Sequence, residues 1–563
     1  MNVGVSSNLL SYGLTSINSI QLALMLAERF KAEVPVQLLL KGASIVDIEN
    51  TIFEEWQEHE FFTASTQLEG AGTEGKTQAA LKDYYPLSSV QLRVYYDAMK
   101  RPDDIIYNVP LYLAFEKIDA ARLTEAVKKT VATHPYINTH IEAKDGELVQ
   151  VRNDSHIPEV GYREMAEQDF ASYKAGFLRS FNLLIGPLYH FEIVKTEKRT
   201  YFLMGIHHII FDGMSEGIFL KDLGRADSGQ ELTPESYNYF DYSDDEEKAR
   251  GSASYTDAEE YFAAMFSRYE TPSEISADKT GVIEEGHFGE AAVHLGKGSV
   301  NALCSRMNVT PASFFLSALF ATVSRFANTK DVYISTIDSG RTSLKTMKNL
   351  GMFVHTLPLS MDLKQDMTSE ELVLKSNEVL RGSVANEIFP FTQIAAKYGY
   401  QTNIMYECQL GVAPEANMGG VPFENVDIAL EIPKFKVAVV IHEDKDSYIV
   451  RVRYNDAIYT ENYMRTLAVS LKNIAESFIN APDAKVSAVS LMGNAGKKLI
   501  ESFRTSAEYE IPCRLLHKMF EACAEAHPEK TALIACDKAL TFTELNESAN
   551  IIAYNLMKKG LKA

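Results

Sequence analysis

Residues 201–211, YFLMGIHHIIF, are apolar except for one glycine and two adjacent histidines. An apolar run of that length without polar alternation reads as a strand buried on both faces. Such a strand needs cover on each side of its sheet, so the chain around it is expected to mix helices with strands. The run closes on His207 and His208, with Asp212 and Gly213 just behind. Successive side chains of a regular strand point to opposite faces, so the two imidazoles cannot share one cavity. A metal site would also need further ligands, and only Asp212 is near, so no metal is expected. A lone histidine at a strand end is most often a hydrogen-bonded structural residue. It suits general base work, with an ordinary pKa of about 6.5, when a neighbour orients it beside a cavity. Glycine at 213 would let backbone come close to a bound reactant.

Helices and strands alternate on both sides of this run. DAARLTEAVKKTVATHP (119–135) reads as an amphipathic helix ended by proline, and ELVQVRN and LYHFEIVK read as strands. A polar, acidic stretch at 241–260 divides the region in two. Beyond it come helix PASFFLSALFATVSRFA (311–327), strand DVYISTI (331–337), strands FKVAVVIHE and SYIVRVRYN, and helix ENYMRTLAVSLKNIAESFI. The pattern predicts two α+β lobes, 83–255 and 256–497. In the segment 1–61, Ile17, Ile20, Leu24, Ala27 and Phe30 follow helical spacing. A stretch rich in Gly, Thr, Ala and Ser then reads as a linker within 62–82. Residues 498–563 begin again with a helix, strand TALIAC, a turn and a helix, and stop at Ala563 as a domain cut short would.

Composition narrows the partners. At 563 residues the chain is too long for one compact unit. Lys+Arg total 55 against Asp+Glu 76, a net charge of −21, and no basic run offers a footprint for nucleic acid. No segment reaches the ~18 consecutive apolar residues of a membrane span, and MNVGVSSNLL lacks the marks of an export signal. Cys304, Cys408, Cys513, Cys523 and Cys536 are odd in number and scattered, which fits a reducing cytoplasm.

His207-His208-Ile209-Ile210-Phe211-Asp212-Gly213 resembles the H-H-x-x-x-D-G signature of the condensation domains of nonribosomal peptide synthetases, two-lobed relatives of chloramphenicol acetyltransferase. YPLSSVQLRVYY (85–96) resembles the opening S-x-A-Q-x-R segment of that family, with Ser88, Gln91 and Arg93 matched and Val90 in place of alanine. FNLLIGPLYHFEI (181–193), GRTSLKTMKNLGMFVHTLPL (340–359) and YNDAIYTENYMRTL (454–467) resemble later segments, with His355 where asparagine is usual. THPYINT (133–139) keeps His134 and Thr139 of another, and FKVAV (435–439) stands where F-D-L is usual. GLTSINSIQLALMLAERF (13–30) resembles the G-x-D-S-L segment of carrier proteins, with Thr15 replacing aspartate and Ser19 one turn inside the helix. A segment near the other end, with Leu540 to Leu545, resembles the L-T-(Y/F)-x-E-L opening of an adenylation domain.

The resemblance implies a partial peptidyl carrier domain over 1–61, a condensation domain in two lobes, and the truncated start of an adenylation domain whose ATP and magnesium chemistry would lie beyond Ala563. It implies Ser16 as the attachment site of 4′-phosphopantetheine, added by a phosphopantetheinyl transferase. It implies amide formation between a donor thioester on an upstream carrier and an aminoacyl acceptor on a downstream one. His208 would take the amine proton or hydrogen-bond the amine into line, and the Gly213 amide would hold charge on the carbonyl oxygen. Asp212 would pair with a cation, for which Arg341 is the candidate, and His207 would support the fold. The domain order favours an L-configured donor. An ester-forming or side-chain-modifying variant, and a noncatalytic docking domain, are the competing readings.

Overall fold

The structure, a computed structural model, describes residues 42–52, 82–281, 286–343, 345–411, 417–426, 434–504, 515–535 and 538–562, with isolated positions ahead of residue 42. The chain divides into one unit over Met1–Leu491 and another over Met492–Ala563.

In the first lobe β1 (Tyr84–Pro86) leads into α1 (Ser89–Ala98), which opens on a capping box between Ser88 and Gln91. It continues through β2 (Asn108–Phe115), α2 (Ala120–Thr133), β3 (His140–Lys144), β4 (Glu147–Val151), β5 (Val160–Glu164), β6 (Tyr189–Lys195), β7 (Thr200–His207), α3 (Gly213–Asp227) and α4 (Tyr239–Ala249). β7 lies between β2 and β6 in a five-stranded sheet, and all of its residues are buried. Its side chains serve two cores by simple alternation. Phe202, Met204 and Ile206 join the main cluster of the lobe, while Tyr201 and Leu203 join a smaller one on the opposite face with Phe170 and Phe177. On α2, Leu123, Ala126, Val127 and Val131 make the apolar stripe that packs against α3.

The apolar run continues to Phe211, but the strand stops at His207, and residues 208–210 turn. The Ile210 N–H donates to the His207 carbonyl at 3.1 Å, closing a turn that apolar content alone does not announce. Ile209, Ile210 and Phe211 remain fully buried, so the turn is anchored by side chains rather than by the ladder.

The acidic stretch between the lobes is helical. Asn238 caps α4 and Tyr239, Phe240 and Ser243 are buried under it; α5 (Ala253–Met265) then buries Ala258 and Phe262 in the second lobe. That lobe contains β8 (Phe288–Gly296), α6 (Pro311–Phe326), β9 (Asp331–Asp338), β10 (His355–Asp362), α7 (Phe391–Tyr398), β11 (Ile404–Cys408), β12 (Asn417–Met418), β13 (Val421–Pro422), β14 (Glu424–Asn425), β15 (Val437–Glu443), β16 (Ser447–Asn455) and α8 (Glu461–Asn480). Its six-stranded sheet runs β10-β9-β11-β15-β16-β8, with β11 parallel to both of its neighbours. The core-facing α6 and the amphipathic α8 cover it.

Two segments of the second lobe enter the first. β14 adds itself to the edge of β2, with Glu424 opposite Ala114 and Asn425 opposite Leu113. Just before it, Gly419 lies so close to Gly224 of α3 that a Cβ on Gly224 would meet the Gly419 nitrogen at 2.4 Å. The loop ahead of β10 sends Leu350, Met352 and Phe353 into the first lobe's main core. The lobes are therefore interlocked through backbone pairing and shared apolar packing.

Ahead of the lobes, the described positions from 22 to 30 are helical, as are residues 45–52, and Ala23, Val34, Leu39, Ile48 and Ile52 are buried together. Most of the expected linker, 62–81, falls outside the described residues. In the second unit α9 (Leu516–Ala526) precedes β17 (Thr531–Ala535), β18 (Lys538–Thr541) and α10 (Phe542–Lys558). The sequence reading has one strand here; β18 pairs antiparallel with β17 and makes a second. Among the described residues no single helix is long and apolar enough to cross a membrane. Cys304, Cys408 and Cys523 are free thiols, and Cys513 and Cys536 fall outside the described residues.

Candidate functional site

The end of β7, the turn after it and the start of α3 set the two histidines in different roles. The His207 N–H donates to Leu188 O at 2.8 Å, and its Nδ1 accepts the Ile209 N–H at 3.1 Å. Its ring lies 6.2 Å from that of Phe181, edge to face. The His208 N–H donates to Tyr107 O at 2.7 Å, and its Nδ1 lies 2.8 Å from Phe211 O. A carbonyl can only accept, so Nδ1 of His208 carries the proton and Nε2 keeps its lone pair. The two rings are opposite tautomers, each set by backbone. Nε2 of His208 has no hydrogen-bond partner among the described residues, and the side chain is half-buried.

Burial, and then the positive charge of Lys434, lower the pKa of His208 to about 4 against an opposing pull from Asp212. Burial and the charge of His208 take His207 to about 3. Both imidazoles are thus neutral at neutral pH. Gly213 is the first residue of α3, so its N–H is among those a helix start leaves without an intrahelical acceptor. Beyond its chain neighbours and the backbone of its own helix, no atom lies within 4 Å of where its Cβ would stand. The motif thus offers a free lone pair at His208 and, five residues on, a backbone donor with an open face at Gly213.

Asp212 is the N-cap of α3. It is fully buried and completely partnered. Oδ1 accepts from Ser215 N and Ser215 Oγ, both at 2.8 Å, and from Arg341 Nη2 at 2.9 Å. Oδ2 accepts from Arg341 Nη2 and from Phe353 N, both at 3.1 Å. Arg341 donates through Nη1 to Thr346 O at 2.5 Å and Asn349 O at 2.7 Å, and its guanidinium stacks 4.2 Å from the Phe353 ring centre. The structure brings Asp212 and Arg341 together across the lobes, with no route from either to solvent.

The motif residues of α1 hold the turn from behind. Gln91 Nε2 donates to Ile209 O at 3.2 Å and to Tyr136 OH at 2.7 Å, and Ser88 Oγ lies 2.7 Å from Tyr239 OH. Arg93 donates to Thr356 Oγ1 of β10 and lies over the Phe391 ring, a second bridge between lobes. His355 lies next to that contact, buried, its Nε2 3.2 Å from Tyr242 OH, and burial lowers its pKa to about 4. His134 is held away from the turn between Glu235 at 2.8 Å and Asp222 at 3.1 Å.

Sequence reasoning did not single out Ser215, Tyr107 or Lys434. Ser215 had a signal, since a serine three residues after an N-cap aspartate can share its hydrogen bonds. Tyr107 and Lys434 had none; they meet only in the fold, where the Lys434 ammonium stands 4.6 Å from the Tyr107 ring centre.

Ser16 and Thr15 fall outside the described residues. Ser19 is fully buried with its hydroxyl closed to solvent. Among the described residues no group of three or more His, Cys, Asp or Glu side chains could hold a metal ion.

The family model of the condensation domain matches residues 81–501, and that of the phosphopantetheine attachment site matches residues 2–52. Bacitracin synthase 3 of Bacillus licheniformis is 24% identical over 100% of this chain and 9% of its own length. Gramicidin S synthase 2 of Brevibacillus brevis is 23% identical over 99% of this chain and 13% of its own. The chain spans about a tenth of the length of these curated relatives. Among solved structures, a four-domain nonribosomal peptide synthetase bound to AMP and glycine matches with a TM-score of 0.69 at 15% identity, over 86% of this chain and 40% of that one. The condensation domain from Monacolin K polyketide synthase matches at 0.62 and 17%, over 72% and 99%, and the X-domain in complex with OxyB from teicoplanin biosynthesis at 0.67 and 17%, over 76% and 100%. At these identities the likeness is one of fold, that of the two-lobed, chloramphenicol acetyltransferase-like α+β class. With its family model spanning both lobes and the H-H-x-x-x-D-G turn at their junction, the chain belongs to the condensation-domain family and carries a phosphopantetheine-attachment domain ahead of it.

Proposed function

We propose that residues 83–497 form an amide bond between a donor aminoacyl or peptidyl thioester and an aminoacyl acceptor, each presented by a carrier domain. The observation that carries this reading is the Nε2 lone pair of His208, without a partner among the described residues and with its tautomer fixed by Phe211 O, five residues ahead of the open face of Gly213. The acceptor nitrogen forms its bond to the thioester carbonyl carbon, the carbon–sulfur bond breaks, and the thiol leaves with a proton. His208 Nε2 takes the amine proton or holds the amine in line for attack. The Gly213 N–H, at a helix start, holds the charge that builds on the carbonyl oxygen. Asp212 acts through position alone: paired with Arg341, it fixes the first turn of α3 and with it Gly213. His207 supports the strand end.

4′-Phosphopantetheine on Ser16, placed there by a phosphopantetheinyl transferase, supplies the thiol on which an acyl group is carried. Residues 1–61 serve as that carrier, and residues 498–563, with β17, β18 and the L-T-F-T-E-L segment at Leu540 to Leu545, read as the start of an adenylation domain. The free thiols of Cys304, Cys408 and Cys523 fit a reducing, cytoplasmic setting. Mixing the protein with a donor-loaded and an acceptor-loaded carrier tests the activity by intact mass. The acceptor carrier is expected to gain the donor acyl mass through a base-stable amide. A base-labile product would make the protein ester-forming, and no gain at all would favour a docking role.

A further inference from the structure

The charge around the turn exceeds what the motif explains. Lys434, on the segment that leads into β15 of the second lobe, lies over Tyr107 of the first, whose carbonyl accepts the His208 N–H. Its ammonium stands over a ring whose own backbone holds the His208 N–H, and its charge, contributed by the opposite lobe, acts on His208. The side chain keeps access to solvent, and no carboxylate forms an ion pair with it among the described residues.

The acidic groups that face it have other partners. Asp97 accepts from Tyr107 OH and, at 3.0 Å, from Lys100 Nζ. Glu407 accepts from Gln409 Nε2 at 3.1 Å, and burial raises its pKa, which weakens it as a counter-charge. Arg93, also within electrostatic reach, has the same sign. Crowding by the surrounding protein and the charge of Arg93 lower the pKa of Lys434 to about 8, so it remains mostly protonated at neutral pH. Its field reaches both His207 and His208. An accessible cation with no ion pair among the described residues, near a second cation and within electrostatic reach of His208, favours an anionic group on a molecule bound at the turn.

We infer that Lys434 and Tyr107 form a carboxylate-binding subsite beside His208, so that one of the two acyl groups joined here belongs to an amino acid with an acidic side chain. This rests on the reading of His208 as the condensation centre. The tyrosine ring orients the ammonium from one side and leaves its remaining donors to a carboxylate. A phosphate on the pantetheine arm is separated from the thiol by the length of the arm, so with the thioester at His208 that phosphate lies elsewhere.

The test is binding, which needs no chemistry at His208. Aspartyl and asparaginyl pantetheine probes, joined by an inert amide in place of the thioester, are titrated calorimetrically into the full chain, the Lys434→Met variant and the His208→Ala variant. The parent and His208→Ala proteins are expected to prefer the aspartyl probe by about tenfold or more, equivalent to about 1.4 kcal/mol, and Lys434→Met is expected to bind both alike. Equal binding by the parent, or a preference that survives Lys434→Met, overturns the subsite. Inorganic phosphate that displaces the aspartyl probe at equal concentration also overturns it in favour of a phosphate site. A parent that shows the preference yet forms no amide in the carrier assay contradicts the proposed activity while leaving the subsite in place.

Discussion

Asp212 of the first lobe and Arg341 of the second meet as an ion pair with both side chains fully buried, 2.9 Å apart at the nearest atoms. The pair fastens the first turn of α3 to the loop that follows β9, and the same carboxylate takes the Phe353 N–H at 3.1 Å. A residue of the signature motif thereby joins the lobes just after the turn that carries His208.

Removal of one partner leaves a buried charge without its counterpart, at a cost of about 3–5 kcal/mol. Arg341→Ala is therefore expected to unfold at clearly lower denaturant than the parent and to lose transfer with it. Equilibrium unfolding in urea checks this, and a variant as stable as the parent would remove Asp212–Arg341 as the fastening between lobes.

Gly213 separates fold from function in the opposite sense. Its φ does not lie in the left-handed region and nothing occupies the space of a Cβ, so alanine fits the first turn of α3. Gly213→Ala is expected to keep stability within about 1 kcal/mol of the parent, while its methyl group stands in the reacting space and lowers transfer by at least about tenfold. Full activity in this variant would mean that the acyl group passes elsewhere.

His134 makes stability depend on pH. Burial acts to lower its pKa, but its hydrogen bonds to Asp222 and Glu235 outweigh burial and hold it at about 9. A group with its pKa raised in the folded state stabilises fully below its ordinary value of about 6.5 and stops doing so as pH rises through about 9. Stability is expected to fall across that window by an amount on the order of 1–3 kcal/mol, and His134→Gln is expected to flatten the fall. Urea midpoints at pH 6 and pH 9.5 decide it; a parent midpoint that is level or rises over that interval contradicts the placement of the charge.

Much of the scaffold was legible because it depends on spacing. The buried β7, the stripe Leu123, Ala126, Val127 and Val131, and strand Ser447–Asn455 are all local patterns. The end of β7 was not legible, because the turn at 208–210 is held by Gln91 from more than a hundred residues away and Ile209 and Ile210 are as apolar as the strand itself. The acidic stretch hid two helices for a related reason: the few residues that bury them, Tyr239, Phe240, Ala258 and Phe262, are outnumbered by charges on their outer faces. At the site, the motif marked the histidines and Asp212, but strand alternation does not separate the pair, because β7 ends at His207 and His208 lies in the turn, held by Tyr107 O and Phe211 O. The tautomer of His208 and the charge of Lys434 are properties of packing, since each depends on a carbonyl or a ring brought in by the fold.

Whether His208 Nε2 handles the amine proton is decided by transfer between two loaded carriers in His208→Ala, followed by intact mass of the acceptor. The parent is expected to form the amide and the variant, with an unfolding midpoint near that of the parent, to form it about 10²–10⁴-fold more slowly. A folded His208→Ala protein that transfers at the parental rate would contradict the assignment.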